Sequence, residues 1–134
     1  MNDDELAARR NRRFPGLLGL EIVERREGYC RCEMEIQEKH LRPQVEGVHA
    51  GVVVSLADTA CGQGCSASLP PGKTFITVEL KANLIASAAA GRVVAEAIPV
   101  HRGNRTHVWE ARVTREDGKL IAIFTCTQLI MDAP

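Results

Sequence analysis

The chain has no excess charge of either sign and no long apolar run. Its 17 Lys and Arg are matched by 17 Asp and Glu among 134 residues, so the formal net charge is zero at neutral pH. Without a net field there is no general draw toward nucleic acid or an anionic membrane surface. No apolar stretch approaches the roughly 18 residues of a membrane span. The first residues, MNDDELAARRNRR, are charged throughout and have no apolar signal core, which predicts a cytoplasmic protein. There is no GxGxxG, P-loop or HExxH pattern, so dinucleotide, nucleoside-triphosphate and zinc-protease chemistry lose their main support. Ser55 lies in SLAD with no GxSxG elbow around it, which argues against a serine hydrolase. Repeats, linkers and low-complexity tracts are also missing.

What is present is an ordinary globular balance of 45% hydrophobic and 25% charged residues. A chain of this size buries roughly two-thirds of its unfolded surface, enough for a core without staples. The expected organisation is a short N-terminal helix in 1–15 and one domain over 16–134. The five cysteines, Cys30, Cys32, Cys61, Cys65 and Cys126, are odd in number and follow no secretory signal, so no disulfide framework is expected. Their CxC and CxxxC spacings are not the CxxC knuckles of structural zinc. They are expected to pack as small hydrophobes, with no metal.

Residues 2–13 suit a surface helix, acidic in its first turn and basic in its last, stopped by Pro15 and Gly16. Strands follow over 18–27 and 29–36. In the second, Cys30, Cys32, Met34 and Ile36 alternate with polar residues. Residues 37–47 form a loop. In VHAGVVVSLADTACGQGCSASLPPG, Val53, Leu56, Ala57 and Ala60 recur at helical spacing, and the many small residues suit a helix wrapped closely by a sheet. Four strands come next, over 74–85, 92–100, 107–114 and 119–131. In the first, Ile76, Val78, Leu80, Ala82 and Leu84 are expected to share one face. HRGNR, residues 101–105, is the exit loop between the second and third. The last strand is apolar on both faces, which suggests a covering second chain. Short connections make the strands antiparallel. The expected fold is therefore α+β: a curved antiparallel sheet around one long central helix.

Asp58 is the most informative residue. A carboxylate in a buried helix is costly unless it is paired or hydrogen-bonded. It reads either as a general base or nucleophile tuned by its surroundings, or as a half-exposed Asp on the helix flank. The small residues at the helix start, His49, Ala50 and Gly51, leave backbone amides approachable at the positive end of the helix dipole. Such amides can hold the oxygen of a thioester carbonyl, and His49 is a possible base. Arg102, Gly103 and Arg105 of the HRGNR turn could hold phosphates or simply be solvated.

At VEGVHAGVVVSLADTACG the chain resembles the 4-hydroxybenzoyl-CoA thioesterase superfamily, most closely its phenylacetic acid degradation (PaaI-type) group. His49-Ala50-Gly51 and Leu56-Ala57-Asp58 match the family's helix start and Leu-Ala-Asp stretch. The runs FITVELKANLIASAAAGRVVAEA and DGKLIAIFTCTQLIM are similar to its later strands, so the likeness spans roughly 16–131. It implies a hotdog fold and a homodimer or a homotetramer of two dimers, with active sites across the subunit interface. By the same resemblance Asp58 is the catalytic carboxylate, the Ala50 amide polarises the carbonyl, and Thr77 places the attacking water. Ala50 departs from the family's Gly. Pro43 replaces an Asn common among relatives, leaving Gln44 beside it as the nearest side-chain amide. The implied reaction is hydrolysis of an aryl- or medium-chain acyl-CoA to free acid and CoA. Coenzyme A enters only as part of the substrate, and no other cofactor is expected. The alternative is a hotdog protein that binds acyl-CoA without turnover. Retention of Asp58 argues against that reading, and loss of the Asn argues for it.

Overall fold

A computed structural model describes residues 1–134. Helix α1 spans Asp3–Arg12 and is opened by Asn2, which exchanges hydrogen bonds with Glu5 in a capping box. Helix α2 spans Phe14–Leu18. Pro15 was expected to end the first helix. It instead sits in the first turn of the second, where its missing N–H is no loss. The sheet strands are β1 Glu21–Arg26, β2 Tyr29–Glu35, β3 Lys73–Leu84, β4 Arg92–Arg102, β5 Thr106–Arg115 and β6 Leu120–Asp132. Helix α3, Ala50–Ala67, separates β2 from β3. The strands run in the order β1-β2-β4-β5-β6-β3, and every neighbouring pair is antiparallel. One sheet curved around one central helix is the hotdog arrangement expected above. No helix is long and apolar enough to cross a membrane.

The sheet closes tightly on α3 because the helix is built of small side chains. Val53, Leu56, Ala57, Ala60, Cys61 and Cys65 are all buried. A Cβ on Gly64 would lie 2.6 Å from the Trp109 ring, and one on Gly62 would lie 2.9 Å from Phe75. A helical glycine costs about 1 kcal/mol relative to alanine. Forcing extra atoms into a packed core costs about 1–3 kcal/mol, so glycine is the better residue at both places. The five cysteines are all buried and unpaired, and they lie in the same core.

Three features of the strands differ from the expectations. First, a bulge at Val78 shifts the β3–β6 register between Thr77 and Glu79. The extra residue flips the alternation, so Ile76 no longer shares a face with Leu80, Ala82 and Leu84. Second, the free backbone is not on β6. That strand lies between β5 and β3, and its inward side chains Ala122, Phe124, Cys126 and Gln128 are buried. The sheet edges are β1 and β3, and on β3 Ile76, Val78, Leu80 and Leu84 are 46–53% exposed. Third, β4 continues through His101 and Arg102, which leaves Gly103–Arg105 as the whole connection to β5.

Candidate active site

Asp58 lies near the middle of α3 and is half-buried. The Thr77 hydroxyl, on the facing strand β3, donates to Asp58 Oδ1 at 3.0 Å. Thr77 reaches it because β3 pairs with β6 at Thr77↔Gln128 and the bulge follows immediately after. Burial pushes the Asp58 carboxyl above its ordinary value of 3.8, and the Thr77 hydrogen bond pulls it part of the way back. The carboxylate is thus held by one hydroxyl, and no cation lies close enough to move it.

The helix start divides its amides. His49 is the N-cap, with extended backbone at φ −65 and ψ 137, and its Nδ1 accepts from the Gly51 N–H at 2.8 Å. This differs from the expectation that the Gly51 amide is approachable. Gly51 is already used, and the His49 nitrogen that caps it is not free to act as a base. The first residue of the helix, Ala50, has no carbonyl one turn behind it to bond. Its N–H has no backbone partner, and the residue is exposed. Beside it opens a recess of about 140 Å³ lined by Val48, Val53, Leu84, Ala86, Ser87 and Arg42.

Ala50 and Asp58 are eight residues apart on one helix, which is about 12 Å along the axis. An amide must lie about 3 Å from the carbonyl oxygen it polarises, and a base must lie within about one water of the carbon under attack. Within one chain the two groups cannot act on the same thioester.

The other expected residues are placed as follows. Pro43 and Gln44 are exposed in the loop between Leu41 and Val48, and Gln44 bonds to neither Asp58 nor Thr77. Arg102 is committed within the chain: its Nη2 donates to Glu27 Oε1 at 2.9 Å and to the Ser68 carbonyl at 3.0 Å, closing off the C-terminal end of α3. Gly103 forms the turn, its N–H donating to the Thr106 carbonyl at 2.9 Å. Arg105 is exposed and forms no ion pair. His40 is structural, accepting from the Gln37 N–H at 2.9 Å and donating to the Leu18 carbonyl at 2.8 Å. His107 is buried against Cys65, whose thiol burial raises to about 12, and Nδ1 of His107 accepts from the Trp109 indole at 3.2 Å. One residue of the site escaped the sequence reading. Gln128, fully buried on β6, lies 2.8 Å from the Thr77 hydroxyl.

The model of the thioesterase superfamily matches residues 47–122, which hold the helix start, Asp58 and Thr77. The chain belongs to that superfamily and is a thioesterase. The 1,4-dihydroxy-2-naphthoyl-CoA hydrolase of Listeria monocytogenes is 38% identical over 110 residues, covering 82% of this chain and 89% of that protein. Among solved structures, a thioesterase from Haemophilus influenzae superposes with a TM-score of 0.90 at 26% identity, covering 98% of this chain and 92% of the other. A mutant of the phenylacetic acid degradation protein PaaI from Thermus thermophilus superposes with a TM-score of 0.79 at 28% identity, covering 87% and 96%.

Proposed function

We propose that the chain hydrolyses aromatic acyl-CoA thioesters, and that each active site is shared between two copies. The observation that carries the reading is the half-buried Asp58 carboxylate, bonded to the Thr77 hydroxyl, in the wall of α3. Asp58 accepts a proton from water as the water oxygen adds to the thioester carbon. The negative charge that builds on the carbonyl oxygen is met by the free Ala50 amide at the positive end of the helix. The carbon–sulfur bond then breaks, and the proton on Asp58 passes to the departing thiolate. Free acid and CoA leave, with no metal or redox cofactor involved.

The 12 Å separation along α3 requires Ala50 and Asp58 of one site to come from different copies. The open β3 edge supports such a pairing. Its unpaired backbone and exposed Ile76, Val78, Leu80 and Leu84, with Ile85 just beyond, are a template for the same strand of a second copy. A homodimer is therefore the smallest active unit, and a homotetramer would be two of them. The aromatic class rests on the Listeria relative, which acts on a naphthoyl thioester by its name, and on the apolar recess beside Ala50.

The test is thiol release from a panel of aryl- and alkyl-CoA thioesters by wild type and Asp58→Asn. The substitution keeps the shape and removes the base, so kcat is expected to fall about 10²–10⁴-fold while KM changes little. Wild-type turnover by folded Asp58→Asn would overturn the mechanism. Acyl-CoA binding by the wild type without any turnover would support the non-catalytic reading, with Pro43 in place of the family Asn as its cause.

A further inference from the structure

We infer that Gln128 is a positioning residue of this site, whose side-chain amide aims the Thr77 hydroxyl proton at Asp58. The inference rests on the reading of Asp58 as the catalytic carboxylate, and it follows from counting protons. The Thr77 hydroxyl oxygen lies 3.0 Å from Asp58 Oδ1 and 2.8 Å from the Gln128 amide. A hydroxyl has one proton to give, and an ionised carboxylate has none. Thr77 must therefore donate to Asp58, and it cannot also donate to Gln128. The structure places Gln128 Oε1 toward Thr77 and Nε2 toward Cys126, but the two ends of a glutamine amide are nearly equivalent in shape, so the network decides which faces which. The amide N–H must face Thr77 and donate to it. With the amide turned over, its oxygen takes the place of Nε2, 3.4 Å from the Cys126 sulfur, where a thiol S–H can donate.

The result is a directed chain. The Cys126 thiol donates to the Gln128 oxygen, the Gln128 nitrogen to the Thr77 oxygen, and the Thr77 hydroxyl to Asp58. Each donor polarises the next. Gln128 and Cys126 are both fully buried, so no solvent competes at that end. A buried amide is retained in a core only when its hydrogen bonds are made. Without Gln128, the Thr77 hydroxyl is free to rotate away from Asp58. The titratable group that feels Asp58 from its own helix is the Cys61 thiol, raised by its hydrogen bond with Cys126 and by burial. No Lys, Arg or His contributes at Asp58, so Thr77 is the one group that holds its ionised form.

The experiment uses Gln128→Met, which keeps the length and removes both polar atoms. Turnover, its pH profile, the Asp58 carboxyl titration by carbon NMR and the melting temperature are followed on the same preparation. The expected result is a fall in kcat of about 5- to 20-fold with KM moved less than about twofold. The acid limb of kcat/KM and the Asp58 titration should both move to higher pH, because a donor to the carboxylate has been loosened. In a Thr77→Val background, Gln128→Met should have no further effect on kcat, since the residue acts through Thr77. If Gln128→Met does not fold, Gln128→Asn withdraws the amide by one methylene and should shift both readouts the same way. An unchanged Asp58 titration and acid limb, with only a lower melting temperature, would overturn the inference. So would an undiminished effect in the Thr77→Val background. An Asp58 titration moved by Gln128→Met in a protein that hydrolyses no thioester would leave the positioning role standing and remove the thioesterase reading.

Discussion

A carboxylate on a helix whose buried residues are valine, leucine, alanine, cysteine and glycine loses solvation on folding, and one hydroxyl restores only part of it. Burial leaves the folded-state value of Asp58 raised, so ionisation destabilises the fold. The penalty is complete above the raised value and disappears as pH falls below the ordinary 3.8. Asp58→Asn is therefore expected to be more stable than wild type at neutral pH, with the difference shrinking toward zero in acid. Urea unfolding at a series of pH values would show it, and a difference that grew in acid would mean the sign is wrong. At the helix start, Ala50→Pro removes one N–H and little else. Proline is tolerated at the first helical position, and His49 already has the extended backbone that a residue before proline prefers. The melting temperature should hold while kcat falls about 10²–10³-fold, the usual worth of a carbonyl-holding donor. Unchanged turnover would show that the carbonyl is held elsewhere.

Among the elements, the β4–β5 turn separates two arginines that the sequence treats alike. Arg102 is tied to Glu27 and to the end of α3, and Arg105 is unengaged. If the turn meets the phosphates of CoA, Arg105→Ala should raise KM for CoA thioesters but not for pantetheine thioesters. That effect should weaken with salt. Arg102→Ala should instead lower the melting temperature. Equal KM changes on both substrate types would make the turn purely structural. The elements themselves were largely legible, because helix period, strand alternation and the Gly and Pro punctuation are local signals. The Val78 bulge, the open edge at β3 and the role of Gln128 were not. Each depends on the pairing of β3 with β6, some 50 residues apart in sequence. Gln128 in particular follows an apolar run, and only the register shows that it points inward at Thr77.

For the whole molecule, sharing of the site between copies can be read by mixing two inactive variants. Asp58→Asn retains the Ala50 amide, and Ala50→Pro retains Asp58. In a twofold dimer that crosses them, each mixed pair has one complete site and one doubly defective site. Equal mixing should then restore about a quarter of wild-type activity, since half of random pairs are mixed and each has one working site. No recovery on mixing, with exchange of subunits verified by mass, would place both groups of a site in one chain. The strand order has a consequence for how the molecule is made. The last strand in sequence, β6, lies between β5 and β3. Until β6 emerges, β3 has no partner in its own chain, and its apolar side chains wait through some 50 residues of synthesis. At roughly 5–20 residues per second that interval lasts on the order of several seconds. Non-local pairing of this kind is closed late in folding. Amide protection pulse-labelled during refolding should therefore arise in β3 together with β6 and after β4 and β5. Until then the nascent chain carries both a half-built candidate site and an adhesive edge, which makes β6 a guard against misassembly as well as a wall of that site.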